Sequence, residues 1–175
     1  MEQVKDQHLA EGRYAFTELV NLDRLRSLLE KFSEATGFTA GVVSYPGQEV
    51  LIATGWRDVC SLFHRAHASS EAHCKASNRE LTEGLVKRKA VNISRCRNGL
   101  VDAATPIIIR DVHVANLFTG QALLSKPDLG RFREQAAMHG YDVEAYLGAV
   151  AKVPVVTEET LAKHMSFLSE LASML

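Results

Sequence analysis

Three cysteines stand at positions 60, 74 and 96 of the 175-residue chain, with His64 four residues after Cys60 and His73 directly before Cys74. In a helix a four-residue spacing puts Cys60 and His64 on one face, where a thiolate and an imidazole could ligate one ion. If Cys74 and Cys96 fold onto that face, the donor set has the Cys3His composition of a tetrahedral zinc site. A soft iron or iron–sulfur centre accepts similar donors. The spacing is not that of a zinc finger, because no Cys-x-x-Cys pair occurs, and cysteine is also among the residues most often buried as a small apolar side chain, which is the favoured reading. His67 and His73 compete with His64 as the imidazole donor. Metal or redox sensor and soft pocket wall are both open readings of the thiols.

The same stretch carries the single tryptophan. Trp56 and Phe63, seven residues apart, share one face of a predicted helix and offer an apolar wall, and Phe118 offers another from a predicted strand. Gln121, Asn116 and Asp102 are the polar groups that could orient a small, mostly apolar ligand there. The alternative role for the aromatics is ordinary core packing. Most of the chain outside Trp56 to Gln121 reads as a frame for these residues.

That frame can be followed along the chain. Residues 1–14 are polar without sustained periodicity and are expected to form a tail, leaving 15–175 as a single domain. Leu19, Leu22, Leu25, Leu28, Leu29 and Phe32 recur at helical spacing from Phe16 onward, and Gly37 is a stop signal. Phe38 to Tyr45 and Glu49 to Thr54 read as strands around the Pro46-Gly47 turn. A helix is expected from Gly55 to about Ala66, and a second from Ser69 or Ser70 toward Arg88. Ala90 to Cys96, Leu100 to Ile109 and Val112 to Leu123 read as three more strands, joined at Asn98-Gly99 and Arg110-Asp111. Pro106 requires an edge or irregularity, and Gly120 marks a bulge or a close approach of another group. Helices follow from Lys126 to Met138 and near Asp142 to Val150. In the last, from Thr157, the stripe Leu161, Met165, Leu168, Leu171 and Leu175 could pack on the sheet or pair with a second copy as a homodimer, making 156–175 a candidate signalling or dimerisation helix. The expected fold is α+β: a five-stranded antiparallel sheet, a helical insertion after its second strand, and flanking N- and C-terminal helices.

Charge excludes several partners. With 20 Lys plus Arg against 21 Asp plus Glu, the formal net charge of -1 gives no field to attract nucleic acid or acidic lipid. No signal-peptide core and no span-length apolar run occurs, so no membrane association and a cytoplasmic location are expected, where wide-spaced, odd-numbered cysteines stay reduced. No Gly-x-Ser-x-Gly, phosphate-loop, His-Glu-x-x-His or dinucleotide motif is present, which favours binding over catalysis.

Cys60-Ser61-Leu62-Phe63-His64, Cys74 with Ser77, Cys96-Arg97-Asn98-Gly99-Leu100-Val101-Asp102, Pro106-Ile107, and Val112-His113-Val114-Ala115 leading to Gly120-Gln121 resemble the PocR sensory domain family. Leu22 to Phe32 and Gly41 to Thr54 match the family's opening, so the resemblance covers about residues 16–150. It implies a PAS-like fold, detection of small molecules, with simple hydrocarbon derivatives such as diols proposed as ligands, and signalling to an output domain. No DNA-binding or kinase segment follows here, so the output would be attached in a longer chain or separate.

Overall fold

Asn21 divides the helix that the leucine periodicity predicts. In the computed structural model, which describes residues 14–88 and 91–175, that periodicity belongs to a short α1 (Phe16–Leu19) and a longer α2 (Leu22–Thr36). Apart from Tyr14, the tail expected over 1–14 lies outside the described residues. The Asn21 carboxamide accepts a hydrogen bond from the Arg24 backbone N–H at 3.0 Å, satisfying a donor that the first turn of α2 cannot satisfy internally. Gly37, at φ 72°, ends α2 in a left-handed conformation that costs a glycine little. Leu25, Leu29 and Phe32 are buried, while Leu28, part of the predicted stripe, is 46% exposed.

The five strands are β1 (Ala40–Ser44), β2 (Val50–Thr54), β3 (Asn92–Arg95), β4 (Val101–Ile109) and β5 (Val112–Ala122). They form one sheet in the order β2-β1-β5-β4-β3, each pair antiparallel. The α+β, PAS-like architecture is the one expected. Arg110 and Asp111 both take positive φ, 47° and 65°, which matches the twist of a two-residue hairpin. Pro106 sits beyond the last β3 pairing, Asn92 with Ala104, so it breaks no ladder on that side of β4.

The sheet has two differently used faces. One is covered by α2 and by α6 (Glu158–Ser173), which bury Leu29, Leu161, Met165 and Leu168 against Val42, Ile107 and Leu117. Leu161, Met165 and Leu168 of the predicted stripe therefore pack on the sheet, while Leu171 is partly buried and Leu175, beyond α6, is 37% exposed; the large apolar residues of α2 and α6 left exposed are Leu28 and Phe167. The opposite face receives the chain between β2 and β3. Here the predicted first helix is shorter and different: residues 55–57 are irregular, Val59–His64 form one π-helical turn, and α3 (Ala68–Arg88) follows. The π geometry is carried by the Arg65 N–H donating to the Cys60 carbonyl at 2.9 Å. Leu81 and Leu85 of α3 pack on Ala104 and Phe118. A second core gathers α4 (Leu129–His139) and α5 (Val143–Ala151) around Tyr146, Phe132 and Val59. Among the described residues no helix is long and apolar enough to cross a membrane.

Two glycines give opposite expectations under the same substitution. A Cβ at Gly120, where φ is 142°, would lie 2.6 Å from both the Asp102 Cα and the Val101 carbonyl oxygen, whereas nothing lies within 4 Å of one at Gly148 in α5. Gly120→Ala should cost roughly 2–4 kcal/mol in urea unfolding through clash and backbone strain. Gly148→Ala should instead stabilise by about 0.5–1 kcal/mol, because alanine loses less entropy in a helix.

Candidate functional site

A cavity of about 50 Å³ lies between the sheet and the π-helical turn with the start of α3. Room for a buried water takes on the order of 10–15 Å³ of such volume, so this one suits a molecule of a few heavy atoms. The sheet contributes Gly41, Val43, Asp102, Phe118 and Gln121, with Cys96 just beyond β3. The insertion contributes Trp56, Cys60, His64, Arg65, Cys74 and Ser77. Eight of the ten residues singled out in the sequence thus meet at one cavity: Trp56, Cys60, His64, Cys74, Cys96, Asp102, Phe118 and Gln121.

Backbone irregularity aims the polar groups. The β4–β5 register shifts between Val101 and Asp102, leaving Gln121 as an extra residue between the pairs Asp102–Gly120 and Val101–Ala122. Gln121 takes φ 52°, a strained value for a residue with a side chain. Its N–H donates to Asp102 Oδ1 at 3.0 Å, and its side-chain Oε1 accepts from the Arg57 N–H at 2.7 Å. The bulge therefore holds the irregular loop that carries Trp56. The indole rests on Gly41, where a Cβ would approach Cζ2 and Nε1 to 3.3 Å, and the Arg65 guanidinium stacks 4.8 Å from its centroid. The Trp56 N–H has no hydrogen-bond partner among the described residues.

Burial sets the protonation of this wall. Desolvation pushes the Cys60 thiol well up, with the Asp102 charge adding to it, and raises Cys96 to about 12 for the same two causes. Cys74 is raised by desolvation too, against the Arg65 charge and the Asn98 hydrogen bond. Desolvation also lifts the Asp102 carboxyl, opposed by the Gln121 N–H and then by Arg65. At neutral pH the thiols are protonated, poor nucleophiles and soft walls. His64 is held neutral, its pKa lowered to about 4 by burial and secondarily by the His139 charge.

His64 joins the cavity to the second core. Its Nε2 lies 2.7 Å from the Tyr146 hydroxyl and 3.4 Å from the Gln135 amide nitrogen. A carboxamide nitrogen only donates, so Nε2 accepts and the proton sits on Nδ1, 4.0 Å from Cys60 Sγ. Asn98, expected only as a turn residue, is fully buried, and its amide donates to the Ser70 carbonyl at 3.0 Å and to Cys74 Sγ at 3.2 Å. Arg65, Asn98, Gln135 and Tyr146 escaped the sequence reading. Nothing in their spacing marks Asn98, Gln135 and Tyr146, whose partners lie 24 to 82 residues away in the chain, and Arg65 meets Trp56 only because the loop and π turn between them fold back.

Two expected ligand-binding residues lie elsewhere. Trp56 precedes the π-helical turn instead of sharing a helix face with Phe63, and Phe63 packs into the second core, 5.2 Å from the Tyr146 ring centroid. Asn116 is fully buried in β5 beside the cavity, not in its wall, with Oδ1 2.7 Å from His113 Nε2 and Nδ2 without a partner among the described residues. The candidate metal donors Cys60, His64, Cys74 and Cys96 share the cavity but not a coordination geometry: His64 Nε2 is engaged by Tyr146 and Cys74 Sγ by Asn98. Among the described residues, no three His, Cys, Asp or Glu side chains are grouped to hold a metal ion. A larger hollow of about 420 Å³ between α2 and α6 is more open and its walls are mostly apolar, with Lys31, Thr36, Lys163 and His164 among the residues that line it.

A β2-β1-β5-β4-β3 sheet with an insertion closing a small cavity on one face and helices on the other defines a PAS-like sensory module. The chain belongs to the PocR sensory domain family, matching "Sensory domain found in PocR" over residues 18–175. It is 30% identical over 108 residues to the Regulatory protein PocR of Salmonella typhimurium (strain LT2), 61% of this chain and 35% of that protein. The similarity thus spans about a third of that relative's length. No solved structure matches. The chain is a sensory domain of the regulatory kind, and its family is regulatory and non-catalytic.

The depressed pKa of His64 makes stability depend on pH. As pH falls from 6.5 to about 4, the unfolded chain binds a proton at His64 that the folded chain does not, so stability is lost across that window. The loss should be on the order of 3 kcal/mol. Asp102, raised when folded, works the other way, binding a proton more readily in the folded state as pH falls. Urea midpoints followed by Trp56 fluorescence between pH 7 and 4 should fall, and less steeply in His64→Gln. An unchanged slope in the variant would remove His64 as the cause.

Proposed function

We propose that the chain binds a small, largely uncharged molecule in the cavity between sheet and insertion, and that residues 15–175 act as one sensory domain reporting occupancy to an attached or separate output domain. The observation that carries this reading is the convergence of the partly buried Asp102 carboxyl and the Trp56 indole N–H, which has no partner among the described residues, on a volume of about 50 Å³ whose wall also holds three thiols, Phe118, and the polar side chains of His64, Arg65 and Ser77. Asp102 accepts from a ligand hydroxyl, the indole donates to a ligand oxygen, and Phe118 with the neutral thiols covers the hydrocarbon part. Short diols and similar simple hydroxylated hydrocarbons have that size and that division of polar and apolar surface.

Occupancy has a route outward. A ligand touching Trp56 and Asp102 loads both ends of the Gln121 bridge and therefore the β4–β5 bulge. On the other face of β4, the Thr105 hydroxyl donates to Ser169 of α6 at 3.2 Å, which ties the same strand to the last helix. A cytoplasmic setting agrees with three unpaired cysteines at such a cavity.

Thermal unfolding and isothermal titration with a panel of short diols and related hydroxylated metabolites test the reading. A true ligand at about 100 times its Kd should stabilise the folded chain by about 2.7 kcal/mol. Asp102→Asn keeps the acceptor for the Gln121 N–H but removes the charge, and should weaken binding at least tenfold with little loss of fold. If no compound in a broad panel shifts the melting temperature of well-folded protein, the small-ligand reading is lost. If Asp102→Asn binds as tightly as the parent, the carboxylate is not the anchor.

A further inference from the structure

Behind the wall of the cavity, on the outer surface, a separate hollow of about 230 Å³ opens between α3, the turn after β3 and α4. Its lining holds two guanidiniums, Arg97 and Arg131, and two imidazoles, His73 and His139, with one carboxylate, Glu134. The two imidazole rings meet edge to face with centroids 5.4 Å apart. Each spends its Nδ1 on the protein. His73 Nδ1 lies 3.3 Å from Asn98 Oδ1, and since that oxygen only accepts, Nδ1 carries a proton; His139 Nδ1 lies 2.8 Å from the Ser69 hydroxyl. Both Nε2 atoms are left without a partner among the described residues. Arg131 likewise makes no ion pair among the described residues, while Arg97 pairs with Glu80.

We propose that this hollow binds a compact multivalent oxyanion, a phosphate group, free or as the ester end of a small metabolite. Two guanidiniums present forked donors suited to phosphate oxygens, and His139 Nε2 adds another donor when the ring is protonated. The opposing charges are Glu134 in the lining and Glu80 paired with Arg97, one for each guanidinium, so the surplus positive charge must come from the imidazoles. The groups that face His139 are His73 and His67 from the insertion, Tyr141, Ser69, and Arg131 and Glu134 from its own helix. Desolvation and the neighbouring His73 and His67 lower its pKa, and a bound anion would offset the repulsion. For an oxyanion whose own charge is constant over this range, such as sulfate, affinity should therefore rise as pH falls through the histidine range, whereas phosphate takes up a proton of its own there. The site is also placed to speak to the cavity, because Asn98 touches His73 on one side and Cys74 Sγ on the other.

Titration with inorganic phosphate, and separately with a small phosphomonoester and with sulfate, followed by histidine ring NMR at pH 6 and 7.5, tests the site without any ligand in the cavity, so its outcome is independent of the sensory reading. Saturable shifts of His73 and His139, a higher titration midpoint for His139 with phosphate, and tighter binding at pH 6 of sulfate, whose charge does not change, are expected. Preference for the ester over the free ion would identify a metabolite as the source. The Arg97→Gln, Arg131→Gln double variant, at two exposed positions, should bind about tenfold more weakly or worse. Glu134→Gln should bind more tightly. No saturable shift, the same shift with chloride at matched ionic strength, or an undiminished affinity in the double variant would overturn the proposal.

Discussion

The hydrogen bond from the Gln121 N–H to the partly buried Asp102 carboxylate is the contact on which the cavity depends. A carboxylate enclosed on the sheet needs strong donors, since its desolvation is costly. The ladder can supply one only by breaking register, and the bulge at Gln121 is that break. The bulge in turn requires Gly120, because the strand passes so close to Asp102 that no Cβ fits. Once Gln121 is turned, its side chain reaches the Arg57 N–H, and the loop carrying Trp56 is hung over the sheet. Asp102, Gly120, Gln121 and Trp56 are one mechanical unit.

The opposite wall depends on a different constraint. The π-helical turn brings Cys60 and His64 to the cavity while sending Phe63 into the second core, so one short segment serves two environments. His64 then has to satisfy a buried imidazole nitrogen, and Tyr146 and Gln135 of the α4–α5 pair do so. The second core is thereby more than a cap. Any rearrangement of the π turn is felt at Tyr146, and any shift of α4 is felt through Gln135 and Asn98.

Protonated thiols, a neutral imidazole and one partly buried carboxylate make an environment suited to recognition and poorly suited to nucleophilic chemistry. This agrees with a regulatory family and with the lack of catalytic motifs. The two faces of the sheet divide the labour: the insertion side holds the cavity, and the α2–α6 side holds the larger apolar core, in contact with it through β4.

Much of the fold was legible because it rests on local rules: strands at Val50 to Thr54 and Val101 to Ile109 follow from β-branched runs, the Arg110-Asp111 hairpin from its length, the end of α2 from Gly37. The gathering of Cys60, Cys74, Cys96, Asp102 and Gln121 was legible as a cluster of unusual residue types. Helical periodicity misplaced Trp56 and Phe63 because it cannot foresee a π turn, whose geometry is set by what must be buried on each side. It also ran α1 and α2 together, because the break comes from the conformation of one cap residue. The sequence by itself determined the elements, the sheet and the residue types of the cavity, since these depend on spacing along the chain. Only the tertiary structure decided which side chains face the cavity, that the thiols are neutral walls not grouped as metal donors, and that Arg65, Asn98, Gln135 and Tyr146 complete the surroundings. Those outcomes turn on desolvation and on contacts between segments far apart in the chain, which no local pattern encodes.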